Sequence, residues 1–255
     1  MSDFAGDFTE DGFLGGRLRL RQPKSGHRAG HDAMLLAAAT PARAGDRVVD
    51  LGAGVGAAGL AVARRVAGVS LALVEIDNEL AELARANVIA NAIPADVLLL
   101  DATSGTESFT AAGLLPDSVD VVLMNPPFND PSRHRVSPDK SRQTAHVATA
   151  GTLDDWLHAS RRVLRSGGDL ALIWRADGIA DVLAALSRGF GSLMILPVHG
   201  EAAAPAIRIL VRATKGGRAP TRLLAGLVLN TSAGSPTPEA QAILAGDAQL
   251  PLAVP

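Results

Sequence analysis

The sequence contains no cysteine and no tyrosine, and aromatic residues make up only 3% of its 255 residues. The lack of cysteine excludes disulfides, cysteine-ligated zinc and thiol nucleophiles, and it is typical of proteins in a reducing compartment. No apolar run approaches the roughly 18 residues that a membrane-spanning helix needs. The acidic first seven residues lack the basic and apolar regions of a secretory signal. We therefore predict a soluble cytoplasmic protein that does not associate with membranes.

The chain also lacks a large excess of either charge, since its formal net charge is −2. Such a balance does not by itself indicate a nucleic-acid-binding protein. The cations are nevertheless clustered: residues 17–28 hold five and no acid, and residues 129–146 hold four against two acids. A general bias of the chain toward arginine is the alternative explanation, so these clusters matter only if they flank a site. The six histidines show no metal-ligand spacing, and we predict no metal.

From about residue 46, short β-branched runs alternate with longer helix-compatible segments. This alternation predicts a parallel sheet with right-handed crossovers. The predicted strands are 47–51, 69–75, 96–100, 120–124, 169–174, 192–198 and 207–213. The predicted helices are 57–67, 77–91, 105–113, 152–166 and 176–188. Residues 200–205 are too few for a helical crossover, so the last two strands should form a hairpin. We predict an α/β fold with a doubly wound, seven-stranded, mostly parallel sheet and one antiparallel strand.

Three regions are expected along the chain: an N-terminal extension (1–44), a catalytic domain (45–230) and a C-terminal tail (231–255). The extension should cover the cofactor and contact the substrate. Residues 1–10 and 231–255 are rich in small residues and proline, which favours extended or mobile chain. Residues 129–150 are predicted to form a long polar loop, and loops of that length inside a domain are usually functional or disordered.

A glycine-rich turn follows the first predicted strand, where Val48–Leu51 leads into Gly52, Gly54 and Gly56. Alternate glycines let the backbone turn sharply and approach a ligand without a Cβ in the way. Glu75 ends the second strand, where a carboxylate can accept hydrogen bonds from both hydroxyls of a ribose. Asp101 ends the third strand and could reach an adenine edge. The three features together predict a cofactor that contains adenosine.

Two such cofactors compete. The stretch Gly54–Gly59 formally matches the G-x-G-x-x-G fingerprint of NAD-binding proteins. A chain without tyrosine or cysteine lacks the Tyr/Lys pair or thiol that an oxidoreductase would use. The turn also begins earlier, at Asp50, which suits the methionine part of S-adenosylmethionine better than a pyrophosphate. We therefore favour S-adenosylmethionine.

The fourth predicted strand ends in Asn125-Pro126-Pro127-Phe128. Two prolines cannot continue a hydrogen-bonded ladder, so the turn is held outside the end of the strand. It presents an amide, backbone carbonyls and an aromatic face to one small volume, as an exocyclic amine on a nucleobase would require. The alternative is a tight loop in which Asn125 caps a turn and Phe128 covers the core.

These motifs resemble those of class I S-adenosylmethionine-dependent methyltransferases with an Asn-Pro-Pro-aromatic turn. Within that class, most of residues 12–245 is similar to bacterial tRNA adenine-N6 methyltransferases, including Phe13–Pro23, Gly26–Asp32 and Leu223–Leu229. The resemblance implies transfer of a methyl group to the exocyclic N6 of an adenine in RNA, with tRNA as the expected substrate and with Asn125, Pro126, Pro127 and Phe128 as catalytic residues. It implies a cofactor site formed by Arg28, Gly30, Asp32, Asp50, Gly52, Gly54, Gly56, Glu75, Ile76, Asp101, Ala102 and Asn125.

The RNA would be held by cations of the two basic clusters. We assign this role to Arg17, Arg19, Arg21, Lys24, Arg133, Arg135, Lys140 and Arg142. Asp32 could instead cap a helix that begins at Ala33, and Trp156 and Trp174 should be core residues. An rRNA base or a protein glutamine remains an alternative substrate. A non-catalytic RNA-binding module is the alternative from another functional class.

Overall fold

The computed structural model describes residues 8–24, 28–127 and 138–254, with residues 138–150 described by their backbone alone. The strands form an N-terminal hairpin and a nine-stranded sheet. The hairpin consists of β1 (Phe8–Phe13) and β2 (Leu18–Pro23). The sheet consists of β3 (Arg47–Leu51), β4 (Ser70–Glu75), β5 (Ala95–Leu99), β6 (Val119–Met124), β7 (Leu164–Arg175), β8 (Phe190–Glu201), β9 (Ala206–Lys215), β10 (Arg222–Leu223) and β11 (Leu227–Asn230). The helices are α1 (His31–Ala39), α2 (Ala57–Arg65), α3 (Asn78–Ala90), α4 (Thr106–Ala111), α5 (Pro138–Val163), α6 (Ile179–Leu186) and α7 (Pro238–Ala245).

The strands of the sheet follow the order β10-β8-β9-β7-β6-β3-β4-β5. Strand β11 also pairs with β8, further along β8 than β10 does. Strand β9 runs antiparallel to both β7 and β8, and the other pairs are parallel. The predicted mostly parallel α/β sheet with one antiparallel strand is confirmed. Its seven predicted strands correspond to β3–β9, and the short edge strands β10 and β11 were not predicted.

Helices cover both faces of the sheet, and the side chains along each strand alternate between the two faces. In β3, Val48 faces a core shared with α1, α2, α3 and the hairpin. Its neighbour Val49 faces the opposite core, which α4, α5 and α6 cover. Trp156 and Trp174 both lie in that second core, and their predicted core role is confirmed.

Two segments differ from the expectation of extended chain or loop. Residues 231–254 contain α7, which begins at the N-cap Thr237, whose hydroxyl accepts from the Ala240 N–H at 3.1 Å. It ends at Gly246, whose φ of 77° suits only glycine well. Ile243 of α7 is 2% exposed and belongs to the main core, so the extended tail was a wrong prediction for these residues. Helix α5 likewise begins at Pro138, inside the segment predicted to be a loop.

Candidate active site

The carboxyl ends of the parallel strands bring the predicted site residues to one edge of the sheet. Leu51 at the end of β3 is in register with Val74 of β4 and with Met124 of β6. Neighbouring strands lie about 4.8 Å apart. The glycine turn after β3 therefore sits between the residues that follow these two neighbours, Glu75 and Asn125.

The glycine turn adopts backbone angles that side chains disfavour. Gly52, Gly54 and Gly56 have φ of 74°, 57° and 86°, all in the left-handed region. A Cβ at Gly52 would overlap Trp156 Cη2, whereas a Cβ at Gly54 would meet no heavy atom of the described residues within 4 Å. The turn is thus closed against the core at Gly52 and open to the outside at Gly54, which is the shape of a ligand cradle.

Glu75 holds the open part of this turn. One of its carboxylate oxygens accepts from the Gly54 N–H at 2.7 Å, and the other accepts from the N–H groups of Ile76 and Asp77 at 2.9 Å each. The residue is only 6% exposed. Each carboxylate oxygen can accept more than one hydrogen bond, so the group can still bind a ligand hydroxyl.

Asp50 lies beneath the turn and is 3% exposed. Its Oδ2 accepts from the Gly59 N–H of α2 at 2.7 Å. Burial, opposed in part by this hydrogen bond and assisted by the charge of Glu75, raises the pKa of Asp50 to about 7. Asp50 therefore links strand, turn and helix from inside the protein.

The residues that follow β4 and β5 form the part of this edge that lies beyond Glu75. Asp101 accepts from the Thr103 N–H at 2.7 Å and from its hydroxyl at 2.8 Å, a turn that fixes the carboxylate after β5. Ala102 is buried, while Ile76 directly after Glu75 is 63% exposed. An exposed apolar side chain beside the buried Glu75 carboxylate offers a surface for a planar ring.

Asn125 follows β6 on the opposite side of the glycine turn. Its Oδ1 is buried and has no hydrogen-bond partner among the residues that the structure describes. A buried acceptor without a donor costs free energy, of the order of 1–3 kcal/mol, unless a ligand supplies the donor. Pro126 is buried and Pro127 is exposed. Phe128, predicted to stack a base, lies outside the described residues.

Beyond Asn125, the edge carries paired charges. Asp32 near the start of α1 forms a 2.9 Å ion pair with Arg208 near the start of β9. The N-cap of α1 is Gly30, and the Asp32 side chain makes no cap hydrogen bond, so the capping alternative was wrong. Because β9 lies two strands away from β6, this pair sits on the Asn125 side of the turn rather than beside Glu75.

Arg28, also assigned to the cofactor, is held by the hairpin. Its guanidinium donates to the Thr9 hydroxyl at 2.9 Å, to the Pro23 carbonyl at 2.6 Å and to the Asp11 carboxylate at 2.6 Å. Burial alone would raise the pKa of Asp11, but hydrogen bonds from Gln22 and Thr9 and the charge of Arg28 hold it below its usual value.

The charge of the basic segment 17–28 is partly balanced by acids from other elements. Arg17 contacts Asp247 at 2.7 Å, and Arg19 and Arg21 approach Glu10 at 3.7 and 3.9 Å. Arg28 pairs with Asp11 in the same way, at 2.6 Å. The absence of acids inside the segment was therefore a poor guide to its net charge. Arg133 and Arg135 lie outside the described residues, and the side chains of Lys140 and Arg142 do too.

Two residues that shape the site were not assigned to it from the sequence. Trp156 fills the space behind Gly52. Asn87 of α3 is fully buried and donates to the carbonyl of Val55 in the glycine turn at 3.0 Å. The signal for Asn87 is an amide in a helical row with the buried Ala84 and with Asn91, where a core helix would place apolar residues.

Within the described ranges, no helix is long and apolar enough to cross a membrane, and no cluster of three or more metal-ligating side chains occurs.

The strand order, the left-handed glycine turn and the acids that end successive strands define a Rossmann-like fold with a ligand-binding edge. The chain belongs to the methyltransferase small domain family, whose match spans residues 25–197.

Among its relatives is the tRNA1(Val) (adenine(37)-N6)-methyltransferase of Erwinia tasmaniensis, which is 27% identical over 83% of this chain and 84% of the relative. The enzyme of the same description from Porphyromonas gingivalis is 30% identical over 65% of this chain and 66% of its own. A solved structure from Agrobacterium tumefaciens, described as a predicted O-methyltransferase, has a TM-score of 0.72 and is 33% identical. It covers 86% of this chain and 98% of its own.

Proposed function

We propose that this protein transfers a methyl group from S-adenosylmethionine to the exocyclic N6 of an adenine in RNA, and that the RNA is a tRNA. The observation that carries the proposal is the buried Oδ1 of Asn125 beside the glycine turn. Among the residues that the structure describes, this oxygen has no hydrogen-bond partner. An amine on a planar base brings the N–H donor that this oxygen needs. The relatives described as tRNA adenine-N6 methyltransferases support the choice of adenine and of tRNA.

The residues of the β3–β5 edge fit the proposed cofactor. The open side of Gly54 leaves room for the methionine part, and the Glu75 carboxylate can still accept from a ribose hydroxyl. The exposed side chain of Ile76 and the fixed carboxylate of Asp101 suit the adenine. When bound, S-adenosylmethionine supplies an electrophilic methyl group on a sulfonium.

The chain's own contribution is to orient the amine, whose lone pair is otherwise delocalised into the base. Asn125 Oδ1 accepts one N–H, and the Pro126 carbonyl, next in the turn, accepts the other. These two acceptors favour a pyramidal nitrogen and direct its lone pair at the methyl group. No strong general base is required, because the methylated ammonium is acidic and loses its proton readily. Phe128 would stack the base, a contact typically of about 1–3 kcal/mol.

The product is tested by mass spectrometry of nucleosides from tRNA and rRNA of cells with and without this protein. We expect N6-methyladenosine to be lost from tRNA alone when the protein is absent. Purified protein should then restore it on tRNA from the deficient cells. Loss of a methylated guanine or of a 2′-O-methyl group would contradict the adenine assignment, as would loss of a methylated glutamine from the proteins of the same cells, measured by peptide mass spectrometry. RNA binding with no methyl transfer to any of these would favour the non-catalytic alternative.

The cofactor is tested separately by calorimetric titration with S-adenosylhomocysteine. Glu75→Ala should weaken binding at least about fivefold, since it removes a charged acceptor. Glu82→Ala serves as a control because Glu82 is a half-exposed acid of α3 paired with Arg85. Binding of NAD in preference to S-adenosylhomocysteine would contradict the proposal and favour an oxidoreductase.

A further inference from the structure

The N-terminal hairpin is attached to α3 by two asparagines. Asn87 Oδ1 accepts from the Arg21 N–H at 2.7 Å, and its Nδ2 donates to the Arg21 carbonyl at 3.1 Å. Asn91 repeats the pattern with Arg19, at 2.9 and 2.6 Å. Both asparagines are buried, with exposures of 0% and 8%. Each amide thus pairs with one residue of β2 as a neighbouring strand would.

The spacing of the two pairs matches. Four residues of an α-helix rise about 6 Å, and two residues of a strand advance about 6.8 Å. Asn87 and Asn91 therefore stay in step with Arg21 and Arg19, which lie on the same edge of β2. An isolated two-stranded hairpin is only marginally stable, and these four bonds help to hold it in place together with Leu18 and Leu20, which are fully buried in the main core.

The third hydrogen bond of each asparagine goes to a different place. The Nδ2 of Asn91 donates to the Asn87 carbonyl at 2.8 Å, which stays within the helix. The Nδ2 of Asn87 donates to the Val55 carbonyl at 3.0 Å, between Gly54 and Gly56 of the glycine turn. The Asn87 amide thus contacts both the hairpin and the glycine turn, whereas the Asn91 amide contacts the hairpin and its own helix.

We infer that Asn87 is a positioning residue that couples the docking of the N-terminal hairpin to the shape of the cofactor turn. The turn contains three left-handed glycines, so its backbone is held by its partners rather than by its own preferences. Glu75 holds it on the open side, and Asn87 holds it from α3. Displacement of β2 would move the Asn87 amide and release Val55. The inference rests on the proposed use of this turn for S-adenosylmethionine.

The test compares Asn87→Ala with Asn91→Ala, since each variant removes one pair of bonds to β2 and only the first frees Val55. Both should lower the melting temperature and speed amide exchange in residues 18–23 to a similar degree. Only Asn87→Ala should also speed exchange in residues 52–56. It should raise the dissociation constant for S-adenosylhomocysteine about fivefold, the effect expected from removing one hydrogen bond, while Asn91→Ala stays within about twofold.

Equal exchange in residues 52–56 of the two variants, or equal affinities, would overturn the inference. If Asn87→Ala does not fold, Asn87→Leu and Asn91→Leu replace the pair. These variants fill the space of the amide and lose its hydrogen bonds. Should the wild-type protein bind no S-adenosylhomocysteine, the proposed cofactor is wrong, and the exchange comparison alone decides whether Asn87 couples hairpin and turn.

Discussion

The Glu75 carboxylate and the Gly54 amide are joined by a 2.7 Å hydrogen bond that fixes the end of β4 to the turn after β3. The same carboxylate accepts from Ile76 and Asp77. It is therefore aimed before any ligand arrives, and a ribose would meet an acceptor that needs no rearrangement. Asn125, on the other side of the turn, is the opposite case, because its Oδ1 has no partner among the described residues.

Replacing Asn125 by alanine should nearly abolish methyl transfer. The loss should correspond to about 2–4 kcal/mol of transition-state stabilisation, as for other preorganised dipoles. Affinity for S-adenosylhomocysteine should stay within about twofold, because the amide serves the methyl acceptor. Single-turnover rates and calorimetry measure the two quantities. A wild-type rate for this variant would rule out Asn125 as the amine acceptor.

Alanine at Gly52 and at Gly54 should have contrasting effects. Both positions have positive φ, so both variants carry a similar backbone cost of about 1–2 kcal/mol. At Gly52 the new Cβ would overlap Trp156, and we expect a much lower melting temperature. At Gly54 it meets no atom within 4 Å in the part of the chain that the structure describes, so the fold should survive while S-adenosylhomocysteine binding weakens.

The second substitution Trp156→Leu offers a control for that comparison. It should restore part of the stability of Gly52→Ala and none of the binding of Gly54→Ala. Tight binding by a folded Gly54→Ala protein would show that the cofactor does not use the open side of the turn.

Stability should depend on pH through Asp50. Its pKa is about 7 in the folded protein against 3.8 as the ordinary value, so between these pH values the folded state keeps a proton that the unfolded state has lost. The contribution of Asp50 protonation to the free energy of unfolding is present in full below about pH 4. It is lost as the pH rises through 7, at no more than about 1.4 kcal/mol per pH unit. Asp50→Asn removes this titration. The melting temperature of the wild-type protein minus that of Asp50→Asn should therefore decrease from pH 5 to pH 8, and a constant difference would contradict the shift.

Charge removal in the second basic cluster should weaken RNA binding. The triple variant Arg133→Gln, Arg135→Gln and Lys140→Gln should flatten the plot of log affinity against log salt by roughly one unit for each phosphate that is no longer neutralised. Arg19→Gln with Arg21→Gln is the comparison, and we expect a smaller change because both cations approach Glu10. Filter binding at several salt concentrations measures the slopes. A larger change in the hairpin variant would move the RNA interface to β2.

The sequence predicted those parts of the site that follow strand ends. Gly52, Glu75, Asp101 and Asn125 each lie at or just after the end of an apolar run, and parallel strands bring such positions to one edge. The confirmed antiparallel strand β9 followed from the short 200–205 link in the same way. These features depend on local order along the chain, which a sequence displays.

The remainder depends on contacts between distant segments. The neutralisation of Arg17 by Asp247 joins residues 230 positions apart, which no local pattern reveals. Helix α7 is eight residues long, and its Thr237-Pro238 start and Gly246 end lie within a run rich in small residues that suggested extended chain. The role of Asn87 requires knowing that β2 and the glycine turn meet the same helix.

Because β9 lies between β7 and β8 in the sheet, these two strands cannot complete their pairing until β9 has been synthesised. As the chain leaves the ribosome, β7 and then β8 emerge as twelve-residue strands that do not pair with each other. Both keep open backbone edges until residues 206–215 arrive and join them. A nascent chain whose residues up to Glu201 have left the ribosome while β9 is still inside it would therefore expose both strands to other chains, and a pause in translation at that stage would favour aggregation.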